Sequence, residues 1–224
     1  MPGGRAKLRI LAEIGGSGSG EARAWSLRRA DLAALAGLAA GLDGRGAIVV
    51  SGGERLTGAL ALAAAARAGG RRTVLVECDL AHPRLATEVG LTPSPGLHEY
   101  LRWEAAAPQI LQPLVLAGPA SRLADEPLVC VVAGREEPEP EALLKLESFR
   151  HAIAKLRTAY DLTVLIGPPP EISHGPLEQV GSQADAVLAA ASRKGISGRA
   201  GRLLRAQLRR LKGDVGGAIV VGAD

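Results

Sequence analysis

Residues 71–91 read RRTVLVECDLAHPRLATEVGL. TVLVE (73–77) is an unbroken apolar run of strand length that ends on a charge, which suits a strand buried on both faces. Two carboxylates, Glu77 and Asp79, close that run, and HPRLATEVG (82–90) then has the spacing of a short helix. A strand that ends in acids and returns through a helix is a unit of an open parallel sheet. In such sheets ligands gather at the carboxyl ends of the strands.

The same unit recurs along the chain. AIVVS (47–51) precedes TGALALAAAARA, and PLVCVV (127–132) precedes the amphipathic PEALLKLESFRHAIAKLRTAY. LTVLI (162–166) precedes a proline-rich loop and GPLEQVGSQ, AVLAAA (186–191) precedes SGRAGRLLRAQLRRLKG, and GAIVV (217–221) follows. With right-handed crossovers this alternation predicts an α/β fold, a doubly wound, mostly parallel sheet with helices on both faces. EARAWSLRRADLAALAGLAAGL, from Glu21 to Leu42, predicts a further helix stopped by the Asp43-Gly44 turn. Residues 1–20 close in GGSGSG and predict a flexible N-terminal arm ahead of one α/β domain over 21–224. The segment 92–126 is the least regular, with a short extra strand expected near Leu114.

Composition bounds the function. Hydrophobic residues make up 47% of the 224, aromatics only 2%, so alanine, leucine and valine must fill the core. A formal net charge of +4 permits a polyanionic partner without demanding one. So few aromatics disfavour base stacking, which makes nucleic acid an unfavoured partner. Cys78 and Cys130 sit in apolar runs and read as buried free thiols. Cys78 and His82 have no second Cys/His pair to complete a zinc set, so no metal site is predicted. MPGGRAKLRI lacks the apolar stretch of a signal peptide, and no run reaches the roughly 18 residues of a membrane span. Both point to a soluble cytoplasmic chain.

VVSGGERLTGAL, from Val49 to Leu60, occupies the place of a phosphate loop, after a strand and before a long helix. Such loops wrap backbone N–H groups around phosphate oxygens, and the helix N-terminus adds partial positive charge. In the pattern GxxxxGK[ST] the lysine reaches the outer phosphates and the hydroxyl holds magnesium. Here Gly52, Gly53, Glu54, Arg55 and Thr57 are the candidate phosphate-binding residues, and the nearest lysines, Lys7 and Lys145, are remote in sequence.

An ordered series of motifs resembles the bacterial tyrosine kinases of capsule and exopolysaccharide assembly, a branch of the MinD/ParA-type P-loop ATPases. RRTVLVECDL resembles that family's RVLLIDADL. SPGLHEYL resembles PGLSDVL, IGPPP stands where the family has IDTPP, and SQADAVLAAASRKGIS resembles LADAVLLVVRAGKT. GGAIVVGAD resembles GVVLNRVD, and the likeness runs in order over about residues 21–224. It implies a P-loop ATPase fold, a membrane chain-length regulator or other polysaccharide-assembly proteins as partners, self-association, and a place at the inner membrane face. It also puts Glu77 and Asp79 where the family keeps its catalytic aspartates.

The departures from that pattern are specific. Arg55 falls on the family's lysine and Leu56 on its magnesium-binding hydroxyl, in a loop shortened by about three residues. Gly167 replaces the third-motif aspartate, Gly222 the asparagine after the last strand, and the C-terminal tyrosine cluster is missing. Tyr100 and Tyr160 read as packing residues. Losing one charge-stabilising group of this kind typically costs ~2.7–4 kcal/mol of transition-state stabilisation. The leading expectation is therefore a catalytically degenerate scaffold or regulator of polysaccharide polymerisation and export. ATP and magnesium enter as cofactors only if the atypical loop still binds them. Two other readings stand beside it: an active ATP-dependent tyrosine kinase using Arg55, Thr57, Glu77 and Asp79, and a MinD/ParA-like protein that binds a membrane or DNA surface. The arginine-rich helix 197–212 carries the last of these. Its bland reading is a surface helix with Leu203, Leu204, Leu208 and Leu211 turned inward.

Overall fold

A computed structural model describes residues 8–15, 27–42, 44, 46–120, 126–170, 174–211 and 214–222. Its centre is an eight-stranded sheet: β1 (Ile10–Ile14), β2 (Ala47–Ser51), β3 (Thr73–Glu77), β4 (Gln112–Leu114), β5 (Leu128–Val131), β6 (Leu162–Ile166), β7 (Ala186–Ser192) and β8 (Asp214–Val221). The spatial order is β1-β8-β7-β2-β6-β3-β5-β4. Every pairing is parallel except β4 on β5. From β2 the chain steps outward to β3 and β5, then returns through β6 to β7 and β8. That reversal makes β2 and β6 the switch point, where doubly wound sheets open a crevice.

The central strands have no polar face. β2, β3 and β6 are buried at every position, and alternate side chains enter two separate cores. On one face α1 (Arg29–Ala40), α2 (Arg55–Ala68) and α3 (Leu85–Val89) pack on Ile48, Val50, Leu75 and Ile166. On the other, α4 (Leu97–Leu101), α7 (Glu147–Ala159), α8 (His174–Gly181) and α9 (Gly198–Leu208) cover Val49, Val74, Val76 and Leu165. Phe149 of α7 is fully buried in this second core, and Tyr100 and Tyr160 pack at its margin. The short helices α5 (Ala107–Ile110) and α6 (Pro140–Leu144) fill the connections.

α2 is buried from Gly58 to Arg67, which its run of alanines permits: small side chains bring the helix axis close to the sheet. Arg67 is tolerated there because its guanidinium reaches the Glu126 carbonyl and carboxylate and the Arg71 carbonyl.

Three expectations change. Ile10–Ile14, read as part of a flexible arm, form an edge strand parallel to β8, because ILAEI turns Ala12 and Ile14 into the first core. The rest of the arm, residues 1–7 and 16–20, lies outside the described residues, as do 21–26 of the expected first helix. The single helix read over 140–160 divides into α6 and α7, with Leu146 extended between them as the N-cap of α7. On α9, Leu204 and Leu208 turn inward as expected, with Leu211 beyond them, but Leu203 is 55% exposed. The extra strand near Leu114 is present as antiparallel β4.

Candidate functional site

The loop after β2 lies between the ends of β7 and β6. Gly52 has φ +121°, and a Cβ there would stand 2.4 Å from the Ala190 carbonyl oxygen, so only glycine fits without moving β7. The next peptide is pinned to the same strand: the Glu54 N–H donates to the Ala190 carbonyl at 3.0 Å. The Arg55 N–H donates back to the Gly52 carbonyl at 3.3 Å. On the β6 side, the buried Ser51 hydroxyl donates to the Pro168 carbonyl at 2.7 Å. Two N–H groups at the mouth of the loop are thus already engaged within the protein. Gly53 is exposed, Thr57 is half-buried in the first turn of α2, and Leu56 packs against the first core.

Arg55 and Asp79 are brought together. Nη2 of Arg55 lies 2.5 Å from Oδ2 of Asp79, with the arginine side chain 12% exposed and the aspartate 2%. The His82 imidazole stands 3.6 Å from the other carboxylate oxygen. A pair this sheltered is weakly screened, and breaking it would strand a charge.

Glu77 is turned to a different task. Its Oε1 accepts the backbone N–H groups of Arg84 and Leu85 at 2.7 and 2.8 Å, and its Oε2 accepts the Ala133 N–H at 3.1 Å. It caps the first turn of α3 and ties it to the end of β5. All three donors are backbone amides. Burial pushes the Glu77 carboxyl up, against the three N–H bonds that favour its charged form, and the nearby Asp79 adds to the rise.

Gly167, which the resemblance sets against the family's third-motif aspartate, follows β6 with its N–H on the Val50 carbonyl. A Cβ there would approach Val49 Cγ1 at 2.9 Å and Leu177 Cδ1 at 3.0 Å. The room a side chain needs is taken by apolar neighbours.

A second polar cluster, not anticipated from the sequence, fastens the neighbouring loops. Glu99 accepts the Gly96 N–H at 2.7 Å, the Ser94 hydroxyl at 2.9 Å and both the backbone N–H and Nε of Arg135. Burial works to raise its pKa, but these donors prevail and bring it down to about 2. Glu137 accepts Arg102 Nη2 at 2.7 Å, and that bond holds its carboxyl below the usual range. The Glu137 N–H donates to the Leu80 carbonyl, so this cluster also fixes the loop that carries Asp79. The one sequence signal for it was Glu99, three residues after the helix-starting Gly96, at the reciprocal position of a capping box.

Cys78 and Cys130 are buried and free, on opposite faces of the sheet. Burial pushes both thiols up, Cys130 to about 12, so neither is a ready nucleophile. Among the described residues no group of His, Cys, Asp and Glu could hold a metal ion, and no helix is long and apolar enough to cross a membrane.

No family model matches the chain, and no curated protein matches it in sequence. Solved structures do match in fold. The chimerical protein CapA2B2 superposes with a TM-score of 0.77 at 14% identity, over 96% of this chain and 95% of that one. The kinase domain of the Escherichia coli tyrosine kinase ETK gives 0.76 at 16% identity, over 97% and 92%. The septum site-determining protein MinD from Pyrococcus horikoshii, complexed with Mg-ADP, gives 0.55 at 16%, over 78% and 69%. At these identities the likeness is one of fold: the chain has the α/β fold of the ETK kinase domain over nearly its whole length.

Proposed function

We propose that this domain is a catalytically degenerate relative of the exopolysaccharide and capsule tyrosine kinases, acting as a scaffold or regulator of polysaccharide polymerisation and export. The observation that carries this reading is the Arg55–Asp79 ion pair. The only cation on the lysine position is committed to the aspartate that a kinase would offer to magnesium or to the attacking hydroxyl. Arginine is no simple substitute for the P-loop lysine, being planar and bulkier.

The surrounding geometry supports the same reading. The Glu54 and Arg55 N–H groups are spent on Ala190 and Gly52, Leu56 brings no hydroxyl, and Glu77 is held by α3 and Ala133. A magnesium nucleotide therefore does not fit the residues present. In this role the domain works by its surfaces, with a membrane chain-length regulator or other polysaccharide-assembly proteins as partners and self-association as the means of assembly. Its place is the cytoplasm, at the inner membrane face.

Isothermal titration with ATP and magnesium tests the reading. The expected result is no magnesium-dependent heat at micromolar concentrations. Micromolar, magnesium-dependent binding would overturn it in favour of an active kinase with an atypical loop.

A further inference from the structure

One face of α9 is cationic, and no counter-charge pairs with it among the described residues. Leu204 and Leu208 face the core, and the exposed side presents Arg199, Arg202, Leu203, Ala206, Arg209 and Arg210. No acidic residue occurs between Arg193 and Leu211. Arg193 pairs with Glu13, but none of the four exposed arginines, Arg199 and Arg202 in α9 and Arg209 and Arg210 just past its end, makes an ion pair among the described residues.

Local electrostatics accounts for only half of these charges. Arg209 and Arg210 stand at the C-terminal end of the helix, where cations meet unsatisfied carbonyls. Arg199 and Arg202 lie at the N-terminal end, where the helix dipole disfavours cations, and no acid accompanies them in the first turn. Leu203 is 55% exposed, next to Arg202 in the chain and one turn from Arg199. Guanidinium groups flanking an apolar side chain match the headgroup layer of a membrane, with arginines at lipid phosphates and the leucine at the acyl boundary. Duplex nucleic acid would satisfy the charges but offers the leucine nothing, since phosphate contacts carry that kind of binding.

We propose that the exposed face of α9 docks the domain on an anionic phospholipid surface. This extends the scaffold reading by giving the domain a membrane contact of its own. The contact requires no nucleotide, so it stands or fails separately from the ATP titration.

The test is sedimentation of the full chain with phosphatidylcholine vesicles, with and without phosphatidylglycerol, at low ionic strength. Binding is expected only to vesicles containing phosphatidylglycerol, and added salt should release the chain. Each basic side chain near such a surface contributes about fivefold, so R199Q/R202Q should weaken partitioning by roughly 25-fold. L203S should weaken it several-fold while leaving its salt dependence unchanged. All three positions are exposed, and an unchanged circular dichroism spectrum confirms folding. Failure to sediment with phosphatidylglycerol vesicles at low salt overturns the proposal, as does binding indifferent to R199Q/R202Q. Binding to duplex DNA that is insensitive to L203S, without vesicle binding, assigns the face to nucleic acid instead and also overturns it.

Discussion

Arg55 Nη2 sits 2.5 Å from Asp79 Oδ2, joining the first turn of α2 to the loop after β3 inside the crevice where the sheet reverses direction. The pair occupies the Arg55 guanidinium, and it also braces two loops. Removing one partner leaves the other buried and uncompensated. Arg55→Ala is expected to destabilise the domain by about 3–5 kcal/mol, and Arg55→Ala/Asp79→Ala by clearly less than the two single changes together. Urea denaturation of the four proteins in the double-mutant cycle measures this. Additive losses would mean that the two side chains do not interact in solution.

Glu77 makes the opposite of a catalytic prediction. Because it accepts N–H bonds from Arg84, Leu85 and Ala133, replacing one acceptor oxygen by a donor leaves a backbone N–H unmet. Glu77→Gln is expected to cost about 1–3 kcal/mol, read from the denaturation midpoint. Unchanged stability would return Glu77 to the list of groups free for chemistry.

Gly167→Asp restores the residue type of the family's third motif but not its surroundings. The new Cβ would meet Val49 at 2.9 Å and Leu177 at 3.0 Å. Overpacking of this kind costs about 1–3 kcal/mol. A lower melting temperature with no gain in magnesium-ATP heat is expected; a gain of micromolar binding would show that the aspartate alone was missing.

Glu99 sets an acid limit. Its folded pKa of about 2 lies below its ordinary value of 4.5, so its bonds to Gly96, Ser94 and Arg135 stabilise the fold above pH 4.5. That stability is lost as the pH falls from 4.5 through about 2, and the loss approaches ~3 kcal/mol. Glu137, also lowered, contributes in the same direction. Denaturation midpoints across this pH range should fall for the native chain and fall less for Glu99→Gln. Parallel curves for the two proteins would contradict the assignment.

The sheet was legible in the sequence wherever a strand is buried on both faces. TVLVE, AIVVS and LTVLI have no polar face to confuse their reading, and their boundaries agree with β3, β2 and β6. ILAEI was obscured by its glycine-rich neighbour GGSGSG, because a five-residue edge strand owes its order to pairing with β8, about two hundred residues away. Leu203 was misplaced because helical periodicity cannot separate two adjacent leucines near the edge of an apolar stripe.

The candidate site divides in the same way. By itself the sequence determined which residues stand at the strand ends: Arg55 and Leu56 after β2, with no lysine between Lys7 and Lys145, and Gly167 after β6, since these are matters of residue identity. Only the tertiary structure decided what the remaining polar groups do. Arg55 and Asp79 are 24 residues apart, and Glu77 and Ala133 are 56 apart. Each pair meets because parallel crossovers bring the ends of β2, β3 and β5 to one edge of the sheet. Hydrogen-bond partners at such separations follow from topology, and no local pattern in the chain encodes them.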